Sequence, residues 1–479
     1  MRRAVLTLVL LLAACTAAPP LSPGLTPVTA IPTLDSSNPE VLCAAVDAAW
    51  GRDWPRAIHA LEALAGLDEA CADGQPATFK LYVAHYNYGR ALADAGLTAE
   101  AVGQYEAALT LNPDGVEAME ALRALGVFTP QPLAACSAAD IDAAMAALPP
   151  YEPSDVDAFV TVASDRFQVG DELFLVRGVN YYPLRYPWRR FLTEANLEEV
   201  RFELALLQDT GFNTLRLFLW HEALFTCPGS GAVPVPEAFE RLDATVHMAA
   251  ELGLRLILTL NDLPDLTAYP LYTAPEHSIA QITFLVERYR DEAAILAWDL
   301  RNEGDVDYWP VGDLGGGFAR DDVLNWLGET AALVRAHDER HLITAGWLRD
   351  AEATIPYVDF VSFHHWEEAQ RLRERVLALR GYTDKPIVLE EVGYSTYLMD
   401  EVEQGRLLRE AIQAAEYDGL AGWLIWTAFD FPPAVACDPP ACPAADGPEL
   451  HFGLWNGDYT PKMALSVVRV LAQSAYRQP

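Results

Sequence analysis

The chain has 479 residues, about half of them hydrophobic, so it can bury sizeable cores in two or three domains. Its formal net charge is -35, from 68 acidic and 33 basic residues. Such a charge argues against nucleic acid, anionic lipid and other polyanions as partners, and a neutral partner fits better.

The N-terminus has the pattern of an export signal. Arg2 and Arg3 precede a short apolar run that ends in Leu-Ala-Ala-Cys at Cys15. The run is too short for a membrane span of about 20 residues, and the pattern is typical of a secretory signal. Its last four residues resemble the lipobox of bacterial lipoproteins. The resemblance implies that Cys15 becomes a lipid-anchored N-terminus, facing outside the cytoplasm in the bacterial cell envelope, with no other membrane contact. The alternative is an ordinary signal in which Cys15 is incidental.

Six cysteines follow this signal: Cys43, Cys71, Cys136, Cys227, Cys437 and Cys442. An even number in an exported chain suits disulfide bonds, but the sequence leaves their connectivity open. Cys437 and Cys442 share one proline-rich loop and are the predicted pair. No histidine lies close to a pair of cysteines, so no zinc site is predicted.

Five segments are predicted in chain order. Residues 1–15 are the signal, and residues 16–39, rich in Pro, Thr, Ala and Ser, are a disordered tether. Residues 40–128 have apolar side chains at helical spacing and resemble about two degenerate tetratricopeptide repeats, which either pack on the next domain or bind a protein partner. Residues 129–153 are a proline-rich linker, and residues 154–479 form the last domain.

The last domain alternates strand and helix patterns, after a small opening hairpin. Eight candidate strands lie at residues 175–180, 213–219, 255–261, 295–301, 341–345, 360–364, 386–390 and 422–427. Eight such alternations in about 300 residues predict an α/β fold, a (β/α)8 TIM barrel preceded by the small α-helical repeat region. No glycine-rich phosphate loop follows the first strand, which argues against nucleotide binding.

Polar and aromatic side chains collect at the ends of these strands. They include Arg216, Asn261, Glu303, His364 and Trp426, with Glu390 and Glu391 side by side. The C-terminal strand ends of a barrel share one face, where catalysis takes place. Metal binding is the competing use of such a set. We expect no metal and no cofactor, because the best-placed groups are glutamates and the adjacent His364 and His365 point opposite ways in a strand.

Five strands carry motifs that resemble the clan A glycoside hydrolases, most nearly glycoside hydrolase family 5, across residues 159–475. The motifs are Arg-Gly-Val-Asn at 177–180, Asn-Thr-Leu-Arg at 213–216, Trp-Asp-Leu-Arg-Asn-Glu at 298–303, residues 385–393 around Glu390-Glu391-Val392-Gly393, and Gly-Trp-Leu-Ile-Trp at 422–426. The resemblance implies cleavage of a β-linked glycan by two glutamates.

The resemblance also implies a role for each site residue. Glu303 is the general acid/base, and Glu391 is the nucleophile with Glu390 as its rival, since strand alternation lets only one of the two face the lumen. Arg216 steadies the nucleophile as an anion, Asn302 binds the sugar 2-hydroxyl and Trp426 forms the floor under the sugar. The further candidate platforms for sugar rings are Trp220, Trp309, Trp366 and Trp455.

Three positions depart from the family pattern. Asn261 stands where many members have histidine and looks more like the mannan-degrading members. In the His364-His365-Trp366 stretch, Trp366 replaces a tyrosine whose hydroxyl bonds the nucleophile, although His364 matches. Gly304 replaces a proline after Glu303.

The sequence therefore predicts a retaining β-glycosidase acting by double displacement on a manno- or gluco-configured polysaccharide or oligosaccharide. Two alternatives remain open. One is a catalytically silent carbohydrate-binding scaffold lipoprotein, and the other is an exo-acting or transglycosylating enzyme of the same clan. The long insertions at residues 263–275, 305–320 and 431–447 bear on the second, because they could close one end of the cleft.

Overall fold

The structure is a computed structural model that describes residues 38–67, 71, 76–112, 115–125, 133–264, 266, 271–272, 274–309, 318–436 and 446–474. The predicted signal with Cys15, most of the predicted tether and the predicted Cys437–Cys442 pair lie outside these residues. The chain divides into two compact units, Met1–Thr129 and Pro130–Pro479. None of the helices in the described ranges is long and apolar enough to cross a membrane.

The first unit is helical. Its described helices are α1 (Pro39–Ala49), α2 (Trp54–Leu67), α3 (Ala77–Asp94), α4 (Thr98–Leu111) and α5 (Val116–Ala124). Asn38 precedes helix α1, and its side chain caps the helix by accepting hydrogen bonds from two backbone N–H groups. Helices α3 and α4 approach closely at Gly89, where an added Cβ would lie 2.6 Å from the Tyr105 ring. The predicted helical region is present, and its likeness to tetratricopeptide repeats stays a prediction.

The second unit is built on a parallel barrel preceded by a small antiparallel sheet. That sheet holds β1 (Val160–Ala163), β2 (Arg166–Val169) and β3 (Glu172–Phe174). The barrel strands are β4 (Val176–Asn180), β5 (Thr214–Phe218), β8 (Arg255–Thr259), β9 (Ile295–Asp299), β10 (Leu342–Thr344), β11 (Gly346–Trp347), β12 (Val361–His365), β13 (Ile387–Val392) and β14 (Gly422–Ile425); β6 (Phe225–Thr226) and β7 (Val233–Pro234) form a separate ribbon.

The parallel strands close into a barrel. Their order is β10-β9-β8-β5-β4-β14-β13-β12-β11, and only Ala345 separates β10 from β11 in the chain. These two short pieces therefore act as one strand that pairs with β9 on one side and with β12 on the other. The predicted (β/α)8 fold is confirmed, with each of the eight predicted strands present.

Helices surround the barrel strands. They are α6 (Ala138–Ala147), α7 (Arg190–Glu194), α8 (Leu197–Thr210), α9 (His221–Leu224), α10 (Pro236–Glu251), α11 (Glu276–Tyr289), α12 (Arg320–His337), α13 (Ala369–Arg380), α14 (Glu401–Tyr417) and α15 (Met463–Ala472). Within the described ranges, 3-10 turns lie at Pro228–Ser230, Gly304–Asp307, Ala351–Thr354 and Pro448–His451. Strands β5 and β9 are buried at every residue, which explains why they are mainly apolar; the charged exceptions are Arg216 and Asp299.

The opening sheet closes one end of the barrel interior. Val160 and Phe167 from this sheet share a buried cluster with Ile257, Leu296 and Val388, which lie early in their barrel strands. The opposite end, where the strands finish, is left for the polar side chains.

Residues 133–153, for which the sequence predicts a linker, contact the barrel. Cys136 forms a disulfide with Cys227, and the Tyr151 hydroxyl donates a hydrogen bond of 2.7 Å to Glu292. A second disulfide joins Cys43 to Cys71 in the first unit. Neither pairing was predictable from the spacing of the cysteines.

Candidate active site

Arg216 is the central cation at the C-terminal end of the barrel. Its side chain is fully buried, and it donates hydrogen bonds to Asp299 Oδ2 at 2.6 Å, Asn302 Oδ1 at 2.9 Å, Asn180 Oδ1 at 3.2 Å and Glu391 Oε1 at 2.5 Å. Burial alone would lower the pKa of this guanidinium, but the surrounding carboxylates outweigh burial and raise it. Arg216 therefore stays charged and fixes four side chains that lie in or just after three different strands, β4, β9 and β13.

Glu303 and Glu391 approach each other across this end of the barrel. Glu303 follows β9 in a left-handed backbone conformation with φ of 48°, and its side chain is 19% exposed. Glu391 lies in β13 and is nearly buried. His364 sits beside both, with Nδ1 at 2.8 Å from Glu303 Oε1 and 3.5 Å from Glu391 Oε2. One atom from each of the three side chains lies within 4.8 Å of the other two.

The two glutamates differ in their pKa. Burial raises the pKa of Glu391 well above the ordinary carboxyl value, repulsion from Glu303 and Asp262 adds to this rise, and Arg216 opposes it. Burial would also raise the pKa of Glu303, but the hydrogen bond and charge of His364, together with the charges of Arg216 and Arg301, outweigh burial and lower it. Two carboxylates this close share one proton, because both cannot ionise without strong repulsion.

This distribution is the reverse of the simple expectation that an arginine lowers the pKa of the nucleophile. The reason is that Arg216 does not serve Glu391 alone. It also binds Asp299 at 2.6 Å and lies 3.7 Å from Glu390 Oε1. A single positive charge shared among three buried carboxyl groups leaves part of the desolvation cost of each one unbalanced.

Glu390 also faces Arg216, although adjacent residues in a regular strand point to opposite sides. Phe363 pairs with Leu389, but the next residue, His364, pairs with Glu391, so Glu390 is an extra residue in the ladder. This bulge turns both glutamates toward the interior. The expectation that only one of them can face the lumen is therefore wrong here. Burial raises the pKa of Glu390 to about 7.

Asn302 is held between Arg216 and the third strand. Its Nδ2 donates to Asp262 Oδ1 at 2.8 Å, and its backbone N–H donates to the carbonyl of Asn261. The Asn261 side chain donates to the Leu300 carbonyl at 3.0 Å, so one of its two amide hydrogens is already engaged. Asp262 also accepts a hydrogen bond from Tyr182 at 2.9 Å.

Aromatic side chains border the carboxylates. Trp426 follows β14, lies 5.8 Å from the Phe218 ring and donates from Nε1 to Glu449 Oε1 at 3.2 Å. Trp366 follows β12, with its ring 5.6 Å from Phe452. Of the further predicted platforms, Trp455 is 3% exposed and packs on Phe429, so it is a core residue. Trp309 is 41% exposed and Trp220 donates to the Tyr182 hydroxyl.

The structure thus brings Arg216, Asn302, Glu303, His364 and Glu391 together. Arg216 bonds Asn302 and Glu391, and His364 bonds Glu303 and lies 3.5 Å from Glu391. Asn261 joins these residues through its backbone, while Trp366 and Trp426 lie at the ends of their strands. Sequence reasoning missed two residues. Tyr182 follows the end of β4 and could have been found by the strand-end criterion, but Glu449 lies in a long loop that offers no such signal.

Among the described residues, Glu303, His364 and Glu391 are the one group of three donors close enough to hold a metal ion. Arg216 already binds Glu391, and Nδ1 of His364 lies within hydrogen-bond distance of Glu303. A guanidinium thus supplies the positive charge that a metal would bring. These contacts favour acid–base chemistry over metal binding for this group.

The geometry agrees with comparisons to known proteins. The family model described as Cellulase (glycosyl hydrolase family 5) matches residues 196–427, a segment that contains Arg216, Glu303, Glu391 and Trp426. The matched segment, just under half of the chain, is similar to the glycosyl hydrolase family 5 domains. The family match and the curated relatives make the protein an O-glycosyl hydrolase.

Two curated relatives are fungal. Mannan endo-1,4-beta-mannosidase A of Podospora anserina is 26% identical over 337 residues, covering 58% of this chain and 85% of the relative. Mannan endo-1,4-beta-mannosidase F of Aspergillus fumigatus is 26% identical over 304 residues, covering 50% of this chain and 65% of the relative, just under two thirds of its length.

Solved structures share the fold. The crystal structure of GH5_18 from Streptomyces cattleya in complex with GlcNAc superposes with a TM-score of 0.54 at 20% identity. The superposition covers 64% of this chain and 82% of that structure.

Proposed function

We propose that this protein is a retaining β-glycosidase in which Glu391 is the nucleophile and Glu303 is the general acid/base. The observation that supports this most directly is the closeness of the two carboxyl groups, whose nearest oxygens lie within 4.8 Å. Retaining enzymes place their carboxyl groups about 5 to 5.5 Å apart, whereas inverting enzymes leave about 6.5 to 9.5 Å for a water molecule.

The reaction takes place in two steps. Glu391 attacks the anomeric carbon while Glu303 gives its proton to the departing glycosidic oxygen. Glu303, now ionised, then takes a proton from the water that releases the sugar from Glu391. For the first step the shared proton must lie on Glu303, and the positive charge that develops on the sugar favours this arrangement because it stabilises the Glu391 anion.

A neutral β-linked glycan with mannose or glucose units is the substrate class that the site supports. The carboxyl groups of Asp262, Glu303, Glu390, Glu391 and nearby Glu449 outnumber the two arginines that act on them, Arg216 and Arg301, so an acidic sugar would be repelled. Asn261 at the third strand end and the two relatives named as mannan endo-1,4-beta-mannosidases favour mannose. Asn302, fixed by Arg216 and Asp262, is positioned to bind the sugar 2-hydroxyl.

Exo action or transglycosylation is the second candidate, and one contact favours it. The 3-10 turn Pro448–His451 belongs to the long segment after β14, and it brings Glu449 against Trp426. A loop that reaches the floor of the sugar site can close one end of a cleft. Endo action would generate new reducing ends throughout mannan without an early burst of free monosaccharide, and that assay decides between the two.

The test of the mechanism uses activated 2-deoxy-2-fluoro glycosides of mannose and glucose, followed by intact mass measurement and peptide mapping. We expect a covalent adduct on Glu391, which would also identify the sugar. Glu303→Gln is the matched control, because it keeps the nucleophile and still reacts with a substrate whose leaving group needs no proton. An adduct on Glu390 would contradict the proposal. The proposal would also be contradicted if neither sugar forms an adduct and the protein hydrolyses neither mannan nor β-glucan, and that result favours the silent scaffold.

We further propose export with a lipid on Cys15, as the N-terminal sequence predicts, and a protein partner for the helical unit. Cys15→Ser should release the protein from the membrane fraction into the medium or periplasm. Retention of this variant in membranes would contradict the lipid anchor. A variant that lacks residues 40–128 tests the partner. The partner is supported if this variant keeps its catalytic activity but loses a protein that co-purifies with the full chain.

A further inference from the structure

Glu390 is a buried carboxyl group that the two-step reaction does not use. Its residue is 0% exposed, and neither of its oxygens has a hydrogen-bond partner in the described part of the chain. The hydroxyl of Ser362 is near enough to lower the pKa of Glu390, but it lies outside hydrogen-bonding geometry with either oxygen. A buried carboxyl without donors costs stability, so its position beneath the two catalytic glutamates calls for a functional explanation.

His364 lies between Glu390 and the proposed acid/base. Its Nδ1 is 2.8 Å from Glu303 Oε1, and its Nε2 faces Glu390 Oε2 at 4.0 Å. The Nε2 atom is buried and has no hydrogen-bond partner within the described residues. At 4.0 Å the two atoms are beyond hydrogen-bond length but close enough for an N–H to be attracted to a carboxylate.

Gly346 leaves the space between these two groups open. A Cβ atom at this position would lie 2.1 Å from Glu390 Oε2 and 2.8 Å from His364 Nε2. The backbone φ of Gly346 is not positive, so the absence of a side chain here is explained by the space that the pair requires rather than by backbone conformation.

The charged groups around the pair come from several strands. Arg216 of β5 lies near Glu390, Asp299 of β9 acts on both members of the pair through its charge, and Glu391 of β13 is 3.5 Å from His364 Nδ1. Arg375 of α13 donates to the backbone carbonyl of His364. Arg301 and Arg216 act on Glu303 through their charges.

We propose that Glu390 is a positioning residue for the acid/base step, because the charge of its carboxylate favours a proton on the nearby Nε2 of His364 and so leaves Nδ1 as the acceptor for the proton of Glu303. The proposal rests on the proposed role of Glu303. With Glu390 ionised, the histidine tautomer that protects the proton on Glu303 is favoured. Burial places the pKa of Glu390 near 7, so both of its states are accessible at neutral pH.

Glu303, His364 and Glu390 can share their protons in two arrangements that hold the same number of protons. In the first, Glu303 and His364 Nε2 carry protons, Glu390 is ionised, and Glu303 is ready to act as an acid. In the second, His364 Nδ1 and Glu390 carry the protons, and Glu303 is an anion ready to act as a base. Each of two protons moves by one position, so no proton is gained or lost.

The test is a pH profile of kcat/KM with phenyl and 2,4-dinitrophenyl β-mannotriosides, which differ in their need for an acid. For phenyl mannotrioside, Glu390→Gln should move the basic limb to lower pH by about one unit, at the low end of the effect of a charge at this distance. The dinitrophenyl substrate should respond much less. Glu203→Gln, which alters a buried glutamate outside this network, is the matched control and should keep the wild-type limb.

A second variant and a double variant make the result decisive. Gly346→Ala inserts a methyl group between Nε2 and Glu390 without changing any titrating group, and it should cause the same downward shift. In a His364→Asn background, Glu390→Gln should cause no further shift. A shift that persists in the His364→Asn background would mean that Glu390 acts on Glu303 directly by its charge. A basic limb that does not move in Glu390→Gln or in Gly346→Ala would mean that the Glu390–His364 pair does not position the proton. Each of these results overturns the proposal.

A failure of the proposed function would look different. If Glu303 is the acid/base, Glu303→Gln removes the basic limb for phenyl mannotrioside. A wild-type limb that survives in Glu303→Gln would remove the basis of the proposed function, whatever Glu390 does.

Discussion

Two buried glutamates of the same barrel differ in their hydrogen bonds. Glu203 of α8 accepts hydrogen bonds from the Tyr181 hydroxyl at 2.7 Å, the Tyr459 hydroxyl at 2.6 Å and the Leu184 N–H at 3.1 Å. Glu390 accepts none from the described residues. Burial raises the pKa of both to about 7. Glu203 is a fully hydrogen-bonded polar group that joins three segments of the chain. Glu390 lacks hydrogen bonds within the described part of the chain and therefore destabilises the fold beside a catalytic site.

Among the active-site variants, Glu391→Gln should have the largest effect on the catalytic rate. We expect kcat for a 2,4-dinitrophenyl glycoside to fall by about 10,000-fold, because no covalent intermediate can form. The melting temperature should stay within a few degrees of wild type, since the buried charge is removed and the shape is kept. Appreciable residual turnover with retained stability would argue that another group is the nucleophile.

Glu303→Gln should be next in size. Hydrolysis of substrates with poor leaving groups should fall by about 100- to 10,000-fold, the range that general acid catalysis supplies. Added azide should restore turnover of the dinitrophenyl substrate, because a small anion can replace the water that Glu303 would activate. The assay follows release of dinitrophenol with and without azide, and absence of rescue would contradict the acid/base assignment.

Glu203→Gln sharpens the comparison through stability rather than rate. The folded-state pKa of Glu203, about 7, lies above its ordinary value of 4.5, so the fold prefers the protonated form. Its contribution to the free energy of unfolding is complete below pH 4.5 and is lost as the pH rises through about 7, a change of about 3 kcal/mol. Chemical denaturation at pH 4.5 and pH 8 should show this loss in wild type and a smaller one in the variant.

The same measurement applied to Glu390→Gln should flatten the pH dependence of stability by a similar amount, since the two pKa values are alike. Only the variant at residue 390 should also move the kinetic profile. If Glu203→Gln and Glu390→Gln have the same pH profile of kcat/KM, then Glu390 has no kinetic role that Glu203 lacks.

Asp262→Asn should have the smallest effect. The charge of Asp262 contributes to the raised pKa of Glu391, so its removal should lower that pKa and move the acidic limb of kcat/KM to lower pH by about half a unit. Tyr182 and Asn302 donate to different oxygens of Asp262, so asparagine, with a single carbonyl oxygen, can keep only one of these two bonds in the present geometry. An acidic limb that moves to higher pH would show that lost hydrogen bonds outweigh the lost repulsion.

The sequence could predict the barrel because its strands are buried on both faces and therefore read as apolar runs with polar ends. The strand predicted at residues 255–261 is observed at Arg255–Thr259, so the error is confined to the last two residues. The closing strand, in contrast, is interrupted at Ala345, and no periodicity signals such a break.

The site was less predictable where it departs from regular geometry. The gathering of Arg216, Glu303, His364 and Glu391 follows from strand ends alone. The inward turn of Glu390 does not, because strand alternation assumes an unbroken ladder and the bulge beside His364 violates it. The contact of Glu449 with Trp426 depends on the path of a long loop, which local sequence does not encode.

The disulfide between Cys136 and Cys227 has a mechanical consequence. Tension applied to the chain before residue 136 would pass through the sulfur bridge into the ribbon at residue 227, and it would bypass β1, β4 and β5. The strand that carries Arg216 would thus be shielded from load when the N-terminal unit is pulled. In single-molecule stretching, the oxidised protein should keep residues 137–226 unextended at forces that extend them after reduction.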